Sequence, residues 1–202
     1  MATVTTKLEA VNTMMTSIGE TPVNTITSST TTDVSIAIQI LDNVSREVQS
    51  VGWHFNTDTR YKLTPNSSNQ IELAANILRI DTSGASASKD YVERARKFWD
   101  RTNHTYTITD ATVETDIVWY LEFTEIPEAA RRYITIRASR IFQDRMLASD
   151  TLHKFHQVDE VQALAVLKES EGDTRDHSIF DNYSVYSVTD RDNYQPNKST
   201  LD

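Results

Sequence analysis

The chain has 202 residues, a formal charge of −9, a pI near 5.0, 38% apolar residues and a mean hydropathy of −0.48. That length suits one domain, or a domain carrying an insertion, with a core that needs no covalent staples. The absence of cysteine excludes disulfides, Cys-ligated zinc, iron–sulfur clusters and thiol catalysis, and the lack of any Lys/Arg cluster argues against tight DNA or RNA binding, which needs concentrated cations.

The first residues lack the basic and apolar regions of a secretory signal, and no apolar run approaches the ~20 residues of a membrane span. Synthesis and folding in a cytoplasm, with no membrane contact, is the expectation. The Asn-x-Ser/Thr triplets at Asn43, Asn66, Asn103, Asn182 and Asn197 are then read as chance in a Thr/Ser/Asn-rich chain.

Leu8, Val11, Met14, Met15 and Ile18 recur at three-to-four spacing and predict a first helix stopped by Gly19, with Glu20-Thr21-Pro22 as a turn. Residues 25–32, nearly all Ser/Thr, read as a loop. A second helix is capped by Thr32 or Asp33 and carries Val34, Ala37, Ile38, Leu41, Val44, Val48 and Val51 on one stripe, about 28 Å long. Gly52 ends it, and Trp53 and Phe55, with a period of two, predict a helix handing directly to a strand.

Between Trp53 and Glu125 the pattern becomes β-rich. Candidate strands are Trp53–Thr57, Tyr61–Thr64, Ile71–Leu73, Ile77–Ile80, Tyr91–Glu93, Tyr106–Thr109 and Val113–Phe123, separated by turn-formers such as Pro65-Asn66 and Ser83-Gly84. Residues 85–88 read as a mobile loop, and 90–100 also fits helical spacing through Tyr91, Ala95 and Phe98.

Helices resume at Ile126-Pro127-Glu128, with proline tolerated in the first turn and glutamate favouring the positive end of the dipole. Ala130, Ile134, Ala138, Ile141, Met146 and Leu147 continue that stripe. A further helix, capped by Asp150 or Thr151, carries Leu152, Phe155, Val158, Val161, Ala165 and Leu167 or Lys168 and is closed by Gly172. Four amphipathic helices, two on each side of a β segment, need partners for their apolar stripes. The predicted architecture is therefore α+β: a helical bundle formed by both ends of the chain (1–52 and 126–172), an inserted antiparallel β-rich domain (53–125) and an extended C-terminal arm (173–202).

Chemistry is sparsely signalled. His153 and His156, one turn apart, would hold zinc if Asp159 or Glu160 completed the site, but no third ligand is dictated and solvated helix residues are the favoured reading. Glu122 and Glu125, near Trp119 and Tyr120, are the carboxylate pair to test for glycosidase chemistry, and strand-end charges beside a helix start are the favoured reading. Nucleophile elbows and metalloprotease motifs are missing, and four glycines could scarcely build a phosphate cradle. No catalytic, metal or cofactor residue is assigned.

Gly52, Trp53, Phe55 and Pro127 are read as the structural junction, with the rings pinning the insertion to the bundle. Trp99, beside Asp100-Arg101, is a possible partner contact. Arg131, Arg132, Arg137, Arg140 and Arg145 put positive charge on one helix, either as a solvated face or as an ion-pair surface between subunits, with Arg131 and Arg140 as interface candidates. In the C-terminal arm Phe180, Tyr183, Val185, Tyr186, Val188 and Tyr194 are more aromatic than an idle tail warrants, and read as an arm that orders on a partner.

Three stretches carry a resemblance. Ala10-Val11-Asn12 through Ile18-Gly19-Glu20-Thr21-Pro22-Val23, then Asp33-Val34 and Ile40-Leu41 through Val48-Gln49-Ser50-Val51-Gly52-Trp53-His54-Phe55-Asn56, and finally Glu125-Ile126-Pro127-Glu128 with Ala138-Ser139-Arg140 and Phe142, resemble the tail tubular protein A family of T7-like short-tailed phages. The Gly-Trp-x-Phe-Asn junction is the most specific piece, while residues 60–120 carry no matching motif. The resemblance implies a structural protein of the virion tail, an adaptor or gatekeeper between the portal and the nozzle (tail tubular protein B). It implies a twelve-fold ring whose lumen passes DNA without binding it specifically, a helical bundle with a β domain, and no cofactor. Two other classes stand beside it: a carbohydrate- or receptor-binding tail module using the Trp/Tyr-bearing insertion, and a small cell-wall hydrolase using Glu122 or Glu125.

Overall fold

A computed structural model describes residues 4–27 and 31–174. Among these described residues four helices and five strands follow in chain order: α1 (Lys7–Ser17), α2 (Thr32–Gln49), β1 (Thr57–Leu63), β2 (Ile77–Thr82), β3 (Tyr91–Arg94), β4 (Lys97–Asp100), β5 (Val113–Trp119), α3 (Glu128–Leu147) and α4 (Asp150–Thr174). The expected C-terminal arm, with Phe180, Tyr183, Tyr186 and Tyr194, lies outside the described residues.

Helix α1 starts on a capping box. The Thr6 hydroxyl accepts from the Glu9 N–H at 3.2 Å, and the Glu9 carboxylate accepts from the Thr6 N–H at 2.7 Å. The helix ends as the glycine requires: Gly19 sits at φ +83°, and the N–H groups of Glu20 and Gly19 close on Met15 and Thr16. Asn12 then holds the turn, donating to the Val23 carbonyl at 3.0 Å and accepting from its N–H at 2.8 Å.

The helices from both ends of the chain pack into one core. Val11 and Met14 of α1, Val34, Leu41 and Val48 of α2, Ile134 and Phe142 of α3 and Leu167 of α4 are all buried in it. Helix α3 touches each of the other three. Its own stripe drifts, however, and Met146 and Leu147, expected inside, are exposed, as is Val51 beyond the end of α2.

The insertion has a second core around Phe98, Ile71, Ile108, Ile117 and Tyr91. Strand β5 is central in an antiparallel sheet of order β1-β5-β2, and β3 and β4 form a separate hairpin. Several expected strands are corrected here. Trp53–Thr57 is not a strand, because His54–Asn56 forms a single 3-10 turn before β1. Residues Ile71–Leu73 run beside β4 with one bridge, Glu72 to Lys97, and 106–109 is irregular, its Ile108 N–H bonded to the Asn69 carbonyl. Residues 90–100 are a hairpin, not a helix. Gly84–Ser86 is a 3-10 turn with Ser86 buried, where a loop was expected. Gly172 does not close α4, which runs on to Thr174.

Beside the hairpin, the Tyr91 hydroxyl donates to Asp110 at 2.6 Å and Lys89 pairs with the same carboxylate at 3.0 Å. These bonds, the tyrosine's first, hold the Asp110 carboxyl below its usual range. Asp100 is lowered as well, chiefly by the Asn103 N–H. A depressed carboxylate stabilises the fold above its unfolded pKa, and that contribution is lost as pH falls through the folded one. We expect Asp110→Asn to be less stable than the parent at pH 7. The gap should narrow below about pH 4, read by urea midpoints across the pH range.

Candidate interaction surfaces

Where α2 hands the chain to the sheet, buried side-chain amides do the joining. Gln49 is fully buried and donates to the Leu121 carbonyl at 2.9 Å while its Oε1 accepts from the Leu121 N–H at 2.8 Å. Asn56 donates to the carbonyls of Gln49 (2.9 Å) and Trp119 (2.7 Å), and its Oδ1 accepts from the Trp53 N–H at 2.9 Å. Trp53 also donates its indole N–H to the Val48 carbonyl at 2.7 Å. Gly52 permits the turn with φ +85°, and a Cβ there would lie 3.0 Å from Val118 Cγ2. Of the expected junction residues Gly52, Trp53 and Phe55 lie here, with Trp53 and Phe55 packed partly buried against the bundle core. Pro127 stands apart, preceding α3 as its N-cap. Gln49 and Asn56 were missed, although two amides flanking Gly52-Trp53 are a readable sign of backbone-bonding side chains.

Beside this junction an open groove of about 540 Å³ is lined by His54, Arg79, Asp81, Asp116 and neighbouring threonines. It offers one guanidinium, Arg79, among the carboxylates of Asp81 and Asp116. Glu122 and Glu125 sit in an exposed turn, where Glu125 accepts from the Glu122 N–H at 3.0 Å. This is a local cap, not a paired acid and base facing a cleft. Among the described residues no three His, Asp or Glu side chains gather as a metal site. His153 turns away from His156 to bond Asp144 at 2.9 Å, while His156 lines a different groove with Thr13, Ser139 and Asp159.

The arginines of α3 divide. Arg131 is buried and donates to three backbone carbonyls, Ile126, Thr5 and Thr124, so its guanidinium is turned inward. Arg140 already has its acidic partners within the chain: Glu160 of α4 and Asp144. The bond to Glu160 raises its pKa further. Arg137 reaches Glu47 of α2 at 2.6 Å. Only Arg132 and Arg145 stand exposed. On the insertion, Trp99 is half-buried, with Tyr106 edge-on at 4.7 Å and the Arg94 guanidinium 4.9 Å from its ring centre.

Helix α4 supplies the largest surprise. Most of the stripe expected to face the core faces solvent: Leu152, Phe155, Val158 and Val161 are between 37% and 68% exposed, Ala165 and Lys168 are exposed with them, and Leu167 alone of that stripe is buried. The side toward α3 instead carries His153, His156 and Glu160, with Ala163 and Leu167 buried further along. The signal was present in the spacing of His153, His156, Glu160, Ala163 and Leu167, which trace their own three-to-four stripe.

A family model described as tail tubular protein matches residues 8–177, which spans both helical ends and the insertion. No curated protein matches the chain.

Proposed function

Because the chain belongs to the tail tubular protein family, and is thus a structural component of a phage tail and not an enzyme, we propose that it is the ring-forming adaptor between the portal and the tail nozzle. In this reading twelve copies close a ring, and DNA passes through the lumen without specific binding. A net charge of −9 disfavours phosphate contacts along such a channel. The observation that supports assembly most directly is the outward apolar face of α4, because contiguous apolar surface on a helix marks a contact site. The exposed Arg132 and Arg145 of α3 add charge that a head-to-tail neighbour can meet. The aromatics of the arm, Phe180, Tyr183, Tyr186 and Tyr194, are the proposed contacts to the portal or an adjoining subunit.

Electron microscopy of the purified protein, alone and mixed with portal, tests the reading. Rings of twelve on the portal are expected, and a stable monomer that never joins a portal ring would overturn it. Deleting the residues after Gly172 should abolish attachment, and normal attachment by the shortened chain would remove the arm from the scheme.

The Trp99–Tyr106–Arg94 cluster favours one second reading, a glycan- or receptor-binding surface on the insertion, since an aromatic face beside a cation suits a sugar ring. Glycan binding lost on Trp99→Ala would support it. The hydrolase alternative falls with membership of a structural family and with the exposed, locally bonded Glu122 and Glu125.

A further inference from the structure

The open groove beside the junction holds two carboxylates in an unfavourable arrangement. Asp81 of β2 and Asp116 of β5 are directly opposite each other in the sheet register, and both line the groove. Like charges facing across two strands destabilise the pair. Among the described residues neither carboxylate pairs with a basic side chain. Each accepts only from a backbone N–H, Asp116 from Arg60 at 2.9 Å and Asp81 from Thr82 at 2.8 Å. Arg79, in the same groove, leans toward the Val51 carbonyl at 3.5 Å. Glu171 of α4 joins the rim by accepting from the His54 N–H, so negative charge outweighs positive there. Trp53 and Val118 supply apolar wall, and the buried Thr57 Oγ1 at the groove has no bonding partner among the described residues.

The complementary chemistry stands at the turn from α3 to α4. Arg145 and Lys154 are exposed there, and neither pairs with a carboxylate among the described residues. Met146 and Leu147 follow Arg145 at 36% and 48% exposure, and Leu152 begins the outward face of α4 beyond them. Ala148, at φ 50°, ends α3, so Arg145-Met146-Leu147 form its projecting last turn. A cation flanked by apolar side chains suits a groove with apolar walls and unmatched carboxylates. Arg132, the other exposed arginine of α3, is flanked in sequence by buried Arg131 and Tyr133.

We propose that the last turn of α3 seats in the junction groove of a second copy of this chain, with Arg145 placed between that copy's two aspartates. The proposal rests on the adaptor-ring reading and names the surfaces that meet in it. One chain cannot make the contact with itself. Its groove lies beside Glu171 and its projecting turn precedes Asp150, about 32 Å away along α4 at ~1.5 Å per helical residue. Two different patches at opposite ends of a subunit make a head-to-tail contact. Such a contact repeats from copy to copy and closes into a ring when its rotation permits. The outward apolar side of α4 runs between the two patches, and so lies along the path of the neighbour.

The chain has no cysteine, so introduced thiols report the contact alone. Leu147→Cys on the projecting turn and Thr59→Cys at the groove are both at exposed positions, which spares the fold. The full chain carrying both is oxidised, alone and with portal, and read on non-reducing gels. A ladder of dimers, trimers and longer species is expected, while either thiol by itself leaves monomers. Adding Arg145→Glu should slow the ladder about tenfold, and adding Asp81→Lys to that variant should restore it. No linked species, a product that stops at the dimer, or a rate indifferent to Arg145→Glu would each overturn the proposal. Portal rings seen by microscopy without a ladder would sink this contact and leave the adaptor reading standing. A ladder without portal rings would do the reverse.

Discussion

Replacing Arg131 with methionine is expected to cost about 3 kcal/mol of folding stability, because each hydrogen bond to a buried charged group is worth roughly 1.5–3 kcal/mol and such losses are not additive. Methionine keeps the aliphatic stem but leaves the carbonyls of Ile126, Thr124 and Thr5 without their donor. The Thr5 carbonyl matters most, because its N–H is held by Glu128 at 2.8 Å, one turn earlier on α3. Glu128 and Arg131 therefore grip both backbone polar groups of one residue, Thr5, and fix the N-terminal segment across the start of α3. Arg131→Lys should restore little, since an ammonium cannot reproduce the planar fork that reaches three carbonyls at once. Urea unfolding reads the effect as a lowered midpoint with unchanged slope. A loss under about 1 kcal/mol would mean that water replaces the guanidinium freely. A defect in assembly with full stability would instead return Arg131 to the interface role that the arginine-rich face of α3 suggested.

The helical half was legible because its signals are local and repeat. Gly19 and Pro127 mark element ends by conformations that few other residues adopt, and the α2 stripe repeats over several turns. The β half was less so. Strands β3 and β4 turn on Ala95 and Arg96, both at positive φ, where a two-residue hairpin ordinarily uses Asn-Gly. That choice is held by tertiary bonds: the Arg96 guanidinium donates to the carbonyls of Ala75 (2.8 Å) and Ile77 (3.0 Å). No pattern within residues 90–100 announces a partner some twenty positions upstream. The same limit applied to α4, whose two competing stripes differ only in what α3 offers them. Asp144 and Arg140 select the polar side for the interior, and hydropathy alone selects the other. Apolar periodicity locates a helix; which face turns inward depends on the groups opposite.

Gln49→Ala should have the other large effect, about 3–4 kcal/mol, combining a buried cavity with the orphaned N–H and C=O of Leu121. Gln49 and Asn56 hold the same joint, since the Asn56 amide binds the backbone carbonyls of Gln49 and Trp119 while the Gln49 side chain binds Leu121 two residues further on. The double variant Gln49→Ala/Asn56→Ala should therefore lose less than the two single losses added. These amides join two separate hydrophobic cores, one in the bundle and one around Phe98. Weakening them should let the insertion unfold ahead of the bundle, seen as Trp fluorescence and helical circular dichroism no longer changing together. Gln49→Glu separates this lock from simple volume loss. Its carboxylate still accepts from the Leu121 N–H but faces the Leu121 carbonyl with no proton to give, so the protonated form is the one that fits and burial raises its pKa. A raised carboxyl pKa stabilises the fold only when the group is protonated. Gln49→Glu should therefore recover stability as pH falls from 7 toward about 5. The parent has no such carboxyl at this position and should show no matching gain. A flat pH response in Gln49→Glu would show that the Leu121 carbonyl finds another donor, and that the junction is held by Trp53 and Phe55 packing instead.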